Sequence, residues 1–100
     1  MGAKIILVGV GGYGATYLNE ALDHPDADME LVAVVEPYPE RCARLSELHD
    51  REVPVYADME DFYAGNKADL AVISTPIFLH TRHILSALSH GSHVLCEKPL

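Results

Sequence analysis

Short apolar runs alternate along this chain with longer segments in which apolar residues recur every three or four positions. The apolar runs predict five strands, at residues 4–9, 30–36, 54–57, 69–74 and 92–96. The segments between them predict four helices, at residues 12–24, 39–50, 59–65 and 77–90. Strands that alternate with helices indicate parallel strands joined by right-handed crossovers. We therefore expect an α/β fold with an open, doubly wound parallel sheet in the strand order 3-2-1-4-5.

The helical spacing also predicts which residues of each helix face the sheet. For the first helix these are Gly14, Tyr17, Leu18, Ala21 and Leu22. For the second helix they are Cys42, Leu45, Leu48 and His49. For the fourth helix they are Ile77, Thr81, Ile84, Leu85 and Leu88.

Composition and charge narrow the range of partners. One hundred residues, of which 49% are hydrophobic, make one domain with a buried core. The net charge is −8, and no run of basic residues balances the acidic ones. Because nucleic acids and anionic membranes are bound through clustered Lys and Arg, we expect neither as a partner.

The chain contains neither a signal peptide nor an apolar run near the roughly 18 residues of a membrane helix. Its two cysteines, Cys42 and Cys96, lack the spacing of a zinc site or a Cys-x-x-Cys motif. We expect two buried, reduced thiols and a cytoplasmic protein. His80 and His83 lie three residues apart on a predicted helix, but no further ligands have suitable spacing, so we expect no metal site.

A glycine-rich turn follows the first predicted strand. Residues 9–14 match the pattern G-x-G-x-x-G, and they leave a strand and open a helix within a βαβ unit. Gly9 would let the chain turn sharply, Gly11 would let the backbone approach a pyrophosphate, and Gly14 would let the helix pack tightly on the sheet. The free N–H groups and the dipole of the helix would face the phosphates. The motif predicts a Rossmann-type, dinucleotide-binding fold with cofactor contacts from Gly9, Gly11, Gly12, Tyr13 and Gly14; a mere glycine-rich turn is the alternative.

Glu36 ends the second predicted strand at about the distance from the glycine motif that an adenosine-ribose ligand requires. Its carboxylate would accept hydrogen bonds from both ribose hydroxyls and would repel a 2′-phosphate, which favours NAD over NADP. The two positions after it are Pro37 and Tyr38, and neither is an Arg or Ser that would bind a 2′-phosphate. Arg41 is the nearest cation that would reach a 2′-phosphate, and a solvated strand end remains the alternative for Glu36.

The loop after the fourth predicted strand holds Ser74, Thr75 and Pro76. Thr75 suits a helix N-cap and Pro76 suits the first helical position, so a structural role alone would explain both. The loop also lies at the carboxyl edge of the sheet beside the switch in strand order, where the ribose and nicotinamide of a cofactor would lie.

The loop after the fifth predicted strand holds Glu97 and Lys98 at the same edge. An ammonium group there would hydrogen-bond a substrate hydroxyl or stabilise the alkoxide that develops as hydride leaves. A buried lysine would also exchange a proton, and a cis Lys98–Pro99 bond would fix its direction. A solvated charge is the alternative for Lys98.

Together these motifs resemble the amino-terminal half of the glucose-fructose oxidoreductase, inositol dehydrogenase and rhizopine-catabolism (Gfo/Idh/MocA) family. The resemblance covers the whole chain, and the Glu-Lys-Pro after the fifth strand is its most specific part. The residues that carry it are Gly9, Gly11, Gly14, Glu36, Ser74, Thr75, Pro76, His80 and the run Cys96-Glu97-Lys98-Pro99-Leu100.

The resemblance implies an NAD(P)-dependent oxidoreductase that transfers hydride between nicotinamide and a hydroxyl of a sugar, cyclitol or related substrate. It implies that Lys98 is catalytic, that Glu97 lies by the nicotinamide, and that Thr75 and Pro76 border the cofactor. His80 matches a motif position and has either a cofactor contact or a packing role. Ile77 stands where the family often has Asn, which leaves the contacts of that loop open.

The family's remaining catalytic groups, usually an Asp and a His, come from a carboxy-terminal domain, and such folds usually add a sixth strand. We therefore expect residues 1–100 to be an incomplete dinucleotide-binding domain, truncated before that strand and inactive alone. Apolar surface left by the missing parts would promote self-association. For the whole protein we expect a small-molecule hydroxyl substrate and a homo-oligomer.

Two other functions remain open. A non-catalytic NAD(P)(H)-sensing module would share the fold, although it would not need Lys98 at the hydride-transfer position. A domain that binds CoA or another nucleotide would keep the glycine turn but would leave Glu36 unexplained.

Overall fold

The computed structural model describes residues 3–10, 14–24, 28–42, 44–74 and 77–96, apart from the side chains at positions 14, 15, 41, 77–80 and 96. Its strands are β1 (Ala3–Val8), β2 (Met29–Val35), β3 (Val55–Tyr56), β4 (Leu70–Ile73) and β5 (His93–Cys96). Its helices are α1 (Gly14–Asp23), α2 (Leu45–Asp50), α3 (Met59–Tyr63) and α4 (Ile77–Ser89), with a 3₁₀ turn at Pro39–Arg41.

The five strands form one sheet in the order β3-β2-β1-β4-β5, and every neighbouring pair is parallel. This order confirms the predicted doubly wound α/β architecture of the Rossmann type. The order switches between β1 and β4, because the chain moves outward from β1 to β3 and then returns to the other side of β1. A crevice at the carboxyl ends of β1 and β4 is the usual ligand position on such a sheet.

Both faces of the sheet are buried. Successive strand residues point to opposite faces, and in β1 the side chains of Ile6, Leu7 and Val8 are all 2% exposed or less. Ile6 and Val8 join α3 and α4 in one core through residues such as Phe62 and Ala87. Leu7 belongs to the other core, with Leu18, Leu22 and Leu48 of α1 and α2. The near-continuous apolar runs in the sequence follow from this two-sided burial.

The prediction of one helix over residues 39–50 is wrong. The chain makes a single 3₁₀ turn, becomes extended at Cys42 (φ −82, ψ 112) and enters α2 only at Leu45. The extended residue is buried, with the Cys42 side chain 6% exposed. Arg44 follows, and its Nη2 lies 2.8 Å from Asp23 of α1 and 2.6 Å from Glu47 of α2. The burial of Cys42 and the contact of Arg44 with Asp23, which is distant in the sequence, favour the broken path over a continuous helix.

The ion pair between Arg44 and Asp23 also affects the titration of the carboxylate. The hydrogen bond from Arg44 lowers the pKa of Asp23, so this contact is present at neutral pH and is lost as acid protonates the carboxylate. Leu48 faces the core as expected, whereas His49, predicted to face inward, is exposed.

The prediction for the inward face of α4 is wrong at three positions. Thr81 is exposed, and Leu85 and Leu88 keep 61% and 54% of their surface. His83 and Ala87 are buried instead, at 7% and 0% exposure. The small side chain of Ala87 allows close packing of α4 on β4 and β5, and the helix is consequently rotated away from its most hydrophobic stripe.

A buried polar contact joins α3 to the start of β5. The Ser92 hydroxyl donates to the Ala68 carbonyl at 2.8 Å, and it lies 2.6 Å from the Tyr63 hydroxyl. Because Ser92 has one hydroxyl hydrogen, Tyr63 is the donor in the second bond. Burial raises the pKa of Tyr63, whose ring stacks on His90 with centroids 4.2 Å apart. No helix in the described part of the chain has the length and apolarity that a membrane crossing requires.

Replacing Ser92 tests the contribution of this contact to stability. We expect Ser92→Ala to lower the free energy of unfolding by about 1–3 kcal/mol, because it leaves two buried polar groups without their partner. Ser89→Ala is the matched control, since its hydroxyl is exposed and bonds the Ser86 carbonyl within its own helix. Urea denaturation of both variants measures the difference, and equal effects would contradict the assignment.

Candidate functional site

Three of the predicted site residues meet at the carboxyl edge of the sheet. Gly9, Glu36 and Ser74 directly follow β1, β2 and β4. The Gly9 amide donates to the Val35 carbonyl at 2.8 Å, and the Ser74 amide donates to the Val8 carbonyl at 2.8 Å. The strand ladders therefore hold the three residues side by side at the switch in strand order.

Gly9 has a backbone conformation that favours glycine. Its φ of +88° lies in the left-handed region, which a glycine adopts without the steric cost of a Cβ. The chain enters α1 at Gly14, so a helix follows β1 in the order that the motif predicts. Gly11, Gly12 and Tyr13 lie outside the described residues.

Glu36 places a buried carboxylate at this edge. Its side chain is 5% exposed, and each carboxylate oxygen accepts a hydrogen bond from the backbone. Oε1 accepts from the Val10 amide at 2.9 Å, and Oε2 accepts from the Tyr38 amide at 3.0 Å. Hydrogen bonds to an ionised acceptor are roughly twice as strong as neutral ones. One carboxylate thus links the loop after β1 to the segment after β2.

Sequence reasoning assigned Glu36 to a ribose but missed these two backbone contacts. The spacing between the glycine motif and the acid indicates that the acid can reach the ribose of a dinucleotide. It contains no information about hydrogen bonds between the acid and the backbone after β1 or β2. The only available signal was the acid's position at the end of a strand next to β1 in the expected order.

Ser74 places a polar atom beside the same edge. Within the described part of the chain, its buried Oγ has no hydrogen-bond partner. A buried hydroxyl without a partner costs free energy, so such a group is well suited to a ligand that supplies a donor or acceptor. The position of Ser74, immediately after β4, is where the sequence predicts a cofactor contact.

Several predicted residues lie outside the description. These are Thr75, Pro76, Glu97, Lys98 and the Lys98–Pro99 peptide bond, together with the side chains of His80 and Cys96. His83 is described and is buried, at 7% exposure. Among the described residues, no group of three or more His, Cys, Asp or Glu side chains is arranged to hold a metal ion.

Comparisons with known proteins agree with the fold. Residues 3–100 match the Gfo/Idh/MocA model, described as an oxidoreductase family with an NAD-binding Rossmann fold. A scyllo-inositol 2-dehydrogenase (NADP(+)) of Bacillus subtilis is 28% identical over 96 residues, which are 96% of this chain and 28% of that protein. A 2,7-anhydro-N-acetylneuraminate hydratase of Mediterraneibacter gnavus is 30% identical over 94 residues, which are 94% of this chain and 24% of that protein.

Solved structures give the same result. A scyllo-inositol dehydrogenase from Lactobacillus casei with bound NAD(H) and scyllo-inositol has a TM-score of 0.79 at 26% identity, covering 99% of this chain and 28% of its own. The WlbA dehydrogenase from Bordetella pertussis, in complex with NADH and UDP-GlcNAcA, has a TM-score of 0.82 at 26% identity, covering 99% of this chain and 29% of its own.

The chain spans about a quarter of the length of the curated relatives it matches. Within that part, the sheet order, the positive φ of Gly9 and the acid after β2 accompany a family match over nearly every residue. The chain belongs to the Gfo/Idh/MocA oxidoreductase family, and it has that family's NAD-binding Rossmann fold, whose cofactor is NAD or NADP.

Proposed function

We propose that this chain binds the dinucleotide of an enzyme that transfers hydride between nicotinamide and a hydroxyl-bearing carbon of a sugar, cyclitol or related compound. The observation that carries the proposal is the buried Glu36 carboxylate, which accepts a hydrogen bond from the Val10 amide next to Gly9. Similar proteins named as inositol dehydrogenases support the substrate class.

The residues at the sheet edge fit the chemistry of a dinucleotide. Glu36 would accept hydrogen bonds from the adenosine ribose, and the Ser74 hydroxyl would bond a polar group of the cofactor near the switch in strand order. The glycine motif and the N-terminus of α1 would bind the pyrophosphate through backbone N–H groups. The bound cofactor would supply the hydride chemistry, while the protein positions it and excludes water.

We further propose that the site prefers NAD to NADP. A 2′-phosphate at the ribose would place negative charge against the Glu36 carboxylate, and like charges at such a distance repel. Pro37 and Tyr38 follow Glu36, and neither supplies a cation. One relative is named as NADP(+)-dependent, so the preference depends on these particular residues and does not follow from the family.

Lys98 is the proposed catalytic residue, on the strength of the Glu-Lys-Pro run after β5. When hydride leaves the carbon of a substrate, the proton of its hydroxyl must also leave. The Lys98 ammonium would hydrogen-bond that oxygen and stabilise its developing negative charge, or in its neutral form would accept the proton. Glu97, Thr75, Pro76 and His80 are proposed to border the cofactor.

The other catalytic groups are proposed to belong to a further domain of the whole protein, which would also bind the substrate. A cytoplasmic location and a homo-oligomeric state remain predictions of the sequence. One relative at 30% identity is named as a hydratase, so turnover should be measured both as cofactor reduction and as substrate conversion.

Titration calorimetry with NADH and NADPH tests the dinucleotide site. We expect NADH to bind more tightly than NADPH, and we expect Glu36→Ala to weaken NADH binding by about tenfold or more, since a charge-assisted hydrogen bond contributes about 1.5–3 kcal/mol. Glu30→Gln is the matched control, because Glu30 lies exposed in the same strand. Folded protein that binds neither dinucleotide would contradict the proposed function.

Replacing Lys98 tests the catalytic step in the whole protein. With a panel of cyclitols and sugars, we expect Lys98→Met to lower kcat by about 10²–10⁴-fold, the range that positioned acid–base groups supply, and to leave NADH affinity within twofold. Lys67→Met is the control, since Lys67 is exposed. A wild-type protein that binds NADH without converting any substrate would favour the sensing module instead.

A further inference from the structure

We propose that the ring of Tyr38 forms the platform on which the adenine of the dinucleotide stacks. This inference rests on the proposed function and extends it from the ribose to the base. Nothing in the glycine motif or the family match assigns Tyr38 a role.

Tyr38 is held in place by the same carboxylate that would bind the ribose. Its backbone N–H donates to Glu36 Oε2 at 3.0 Å, three residues beyond the end of β2. The following Pro39 fixes its own φ and restricts the conformations open to residue 38, which has φ −123 and ψ 74. The backbone that carries the ring is therefore set by the site itself.

The Tyr38 ring keeps a large accessible surface, since 53% of the residue is exposed. Among the exposed large hydrophobic residues of the described part of the chain, Tyr38 is the one that lies beside the carboxyl ends of β1 and β2. The other such residues are at the start of β2, on the outer side of α4 and in β5: Met29, Leu85, Leu88 and Leu95.

The covalent structure of adenosine brings the base to this position. Adenine is attached to the ribose carbon next to the one that bears the 2′-hydroxyl. If the ribose hydroxyls bond Glu36, the attached base lies close to that carboxylate, where Tyr38 is a near neighbour. A planar aromatic ring there covers one face of the purine, and stacking of this kind tolerates either orientation of the base.

A substitution at Tyr38 isolates the ring from the backbone contact. The bond to Glu36 comes from the main chain, so Tyr38→Ala removes the ring and retains that N–H. Tyr38→Phe keeps the ring and removes only the hydroxyl. Leu85→Ala is the control, because it removes a comparably exposed apolar side chain from α4.

The test is titration calorimetry of the full-length protein with two ligands, NADH and ADP-ribose. ADP-ribose retains the adenosine but lacks the nicotinamide. We expect Tyr38→Ala to weaken both ligands by a similar factor, about tenfold, as loss of one stacked base predicts. Tyr38→Phe should bind both within about twofold of wild type, and Leu85→Ala should match wild type. Because the ring is half exposed, thermal unfolding of Tyr38→Ala should stay close to that of the parent protein.

Each alternative result overturns a different statement. A wild-type protein that binds neither ligand contradicts the proposed function. Wild-type affinity retained in Tyr38→Ala overturns the platform and leaves the dinucleotide site standing. A loss in Tyr38→Phe as large as that in Tyr38→Ala assigns the effect to the hydroxyl and also overturns stacking.

Discussion

The candidate site at the carboxyl edge of the sheet depends on the hydrogen bonds between the Glu36 carboxylate and two backbone amides. A charge that is 5% exposed is costly to bury unless donors surround it, and the Val10 and Tyr38 amides provide two of them. The bonds in turn fix the loop after β1 against the segment after β2. The relative placement of these two segments, the proposed ribose contact and the proposed adenine platform all depend on this one link.

The buried polar groups differ between the two edges of the sheet. At the amino ends of β4 and β5, the Tyr63, Ser92 and Ala68 contact is buried and fully used within the protein. At the carboxyl ends, the Ser74 hydroxyl has no partner among the described residues. The amino ends of parallel strands lie at one edge of the sheet and the carboxyl ends at the other. These polar groups are therefore bonded within the protein at the amino edge, while the carboxyl edge offers a polar group to a ligand.

The strands and their order could be predicted from the sequence because each follows from local features. A strand buried on both faces must be apolar throughout, and β1 shows this most clearly in Ile6, Leu7 and Val8. The positive φ of Gly9 agrees with the need for glycine at this position, because few other residues adopt that backbone conformation. The family resemblance was readable from the same motifs.

The errors arose where distant residues decide the outcome. The break at Cys42 depends on its burial and on the contact of Arg44 with Asp23 of α1, which helical spacing does not reveal. The rotation of α4 depends on the close packing of Ala87, a residue that a hydrophobicity pattern undervalues relative to Leu85 and Leu88. The backbone contacts of Glu36 depend on β1 and β2 being neighbours, so they become visible only once the sheet is assembled.

The most direct measurement is amide hydrogen exchange at Val10 in the wild-type protein and in Glu36→Gln. The carboxylate accepts the hydrogen bond of this amide, whereas a carboxamide at the same position is a weaker, neutral acceptor. We predict that Val10 exchanges clearly faster in Glu36→Gln, while Leu7, deep in β1, keeps its protection. Unchanged exchange at Val10 would contradict the claim that Glu36 holds the loop.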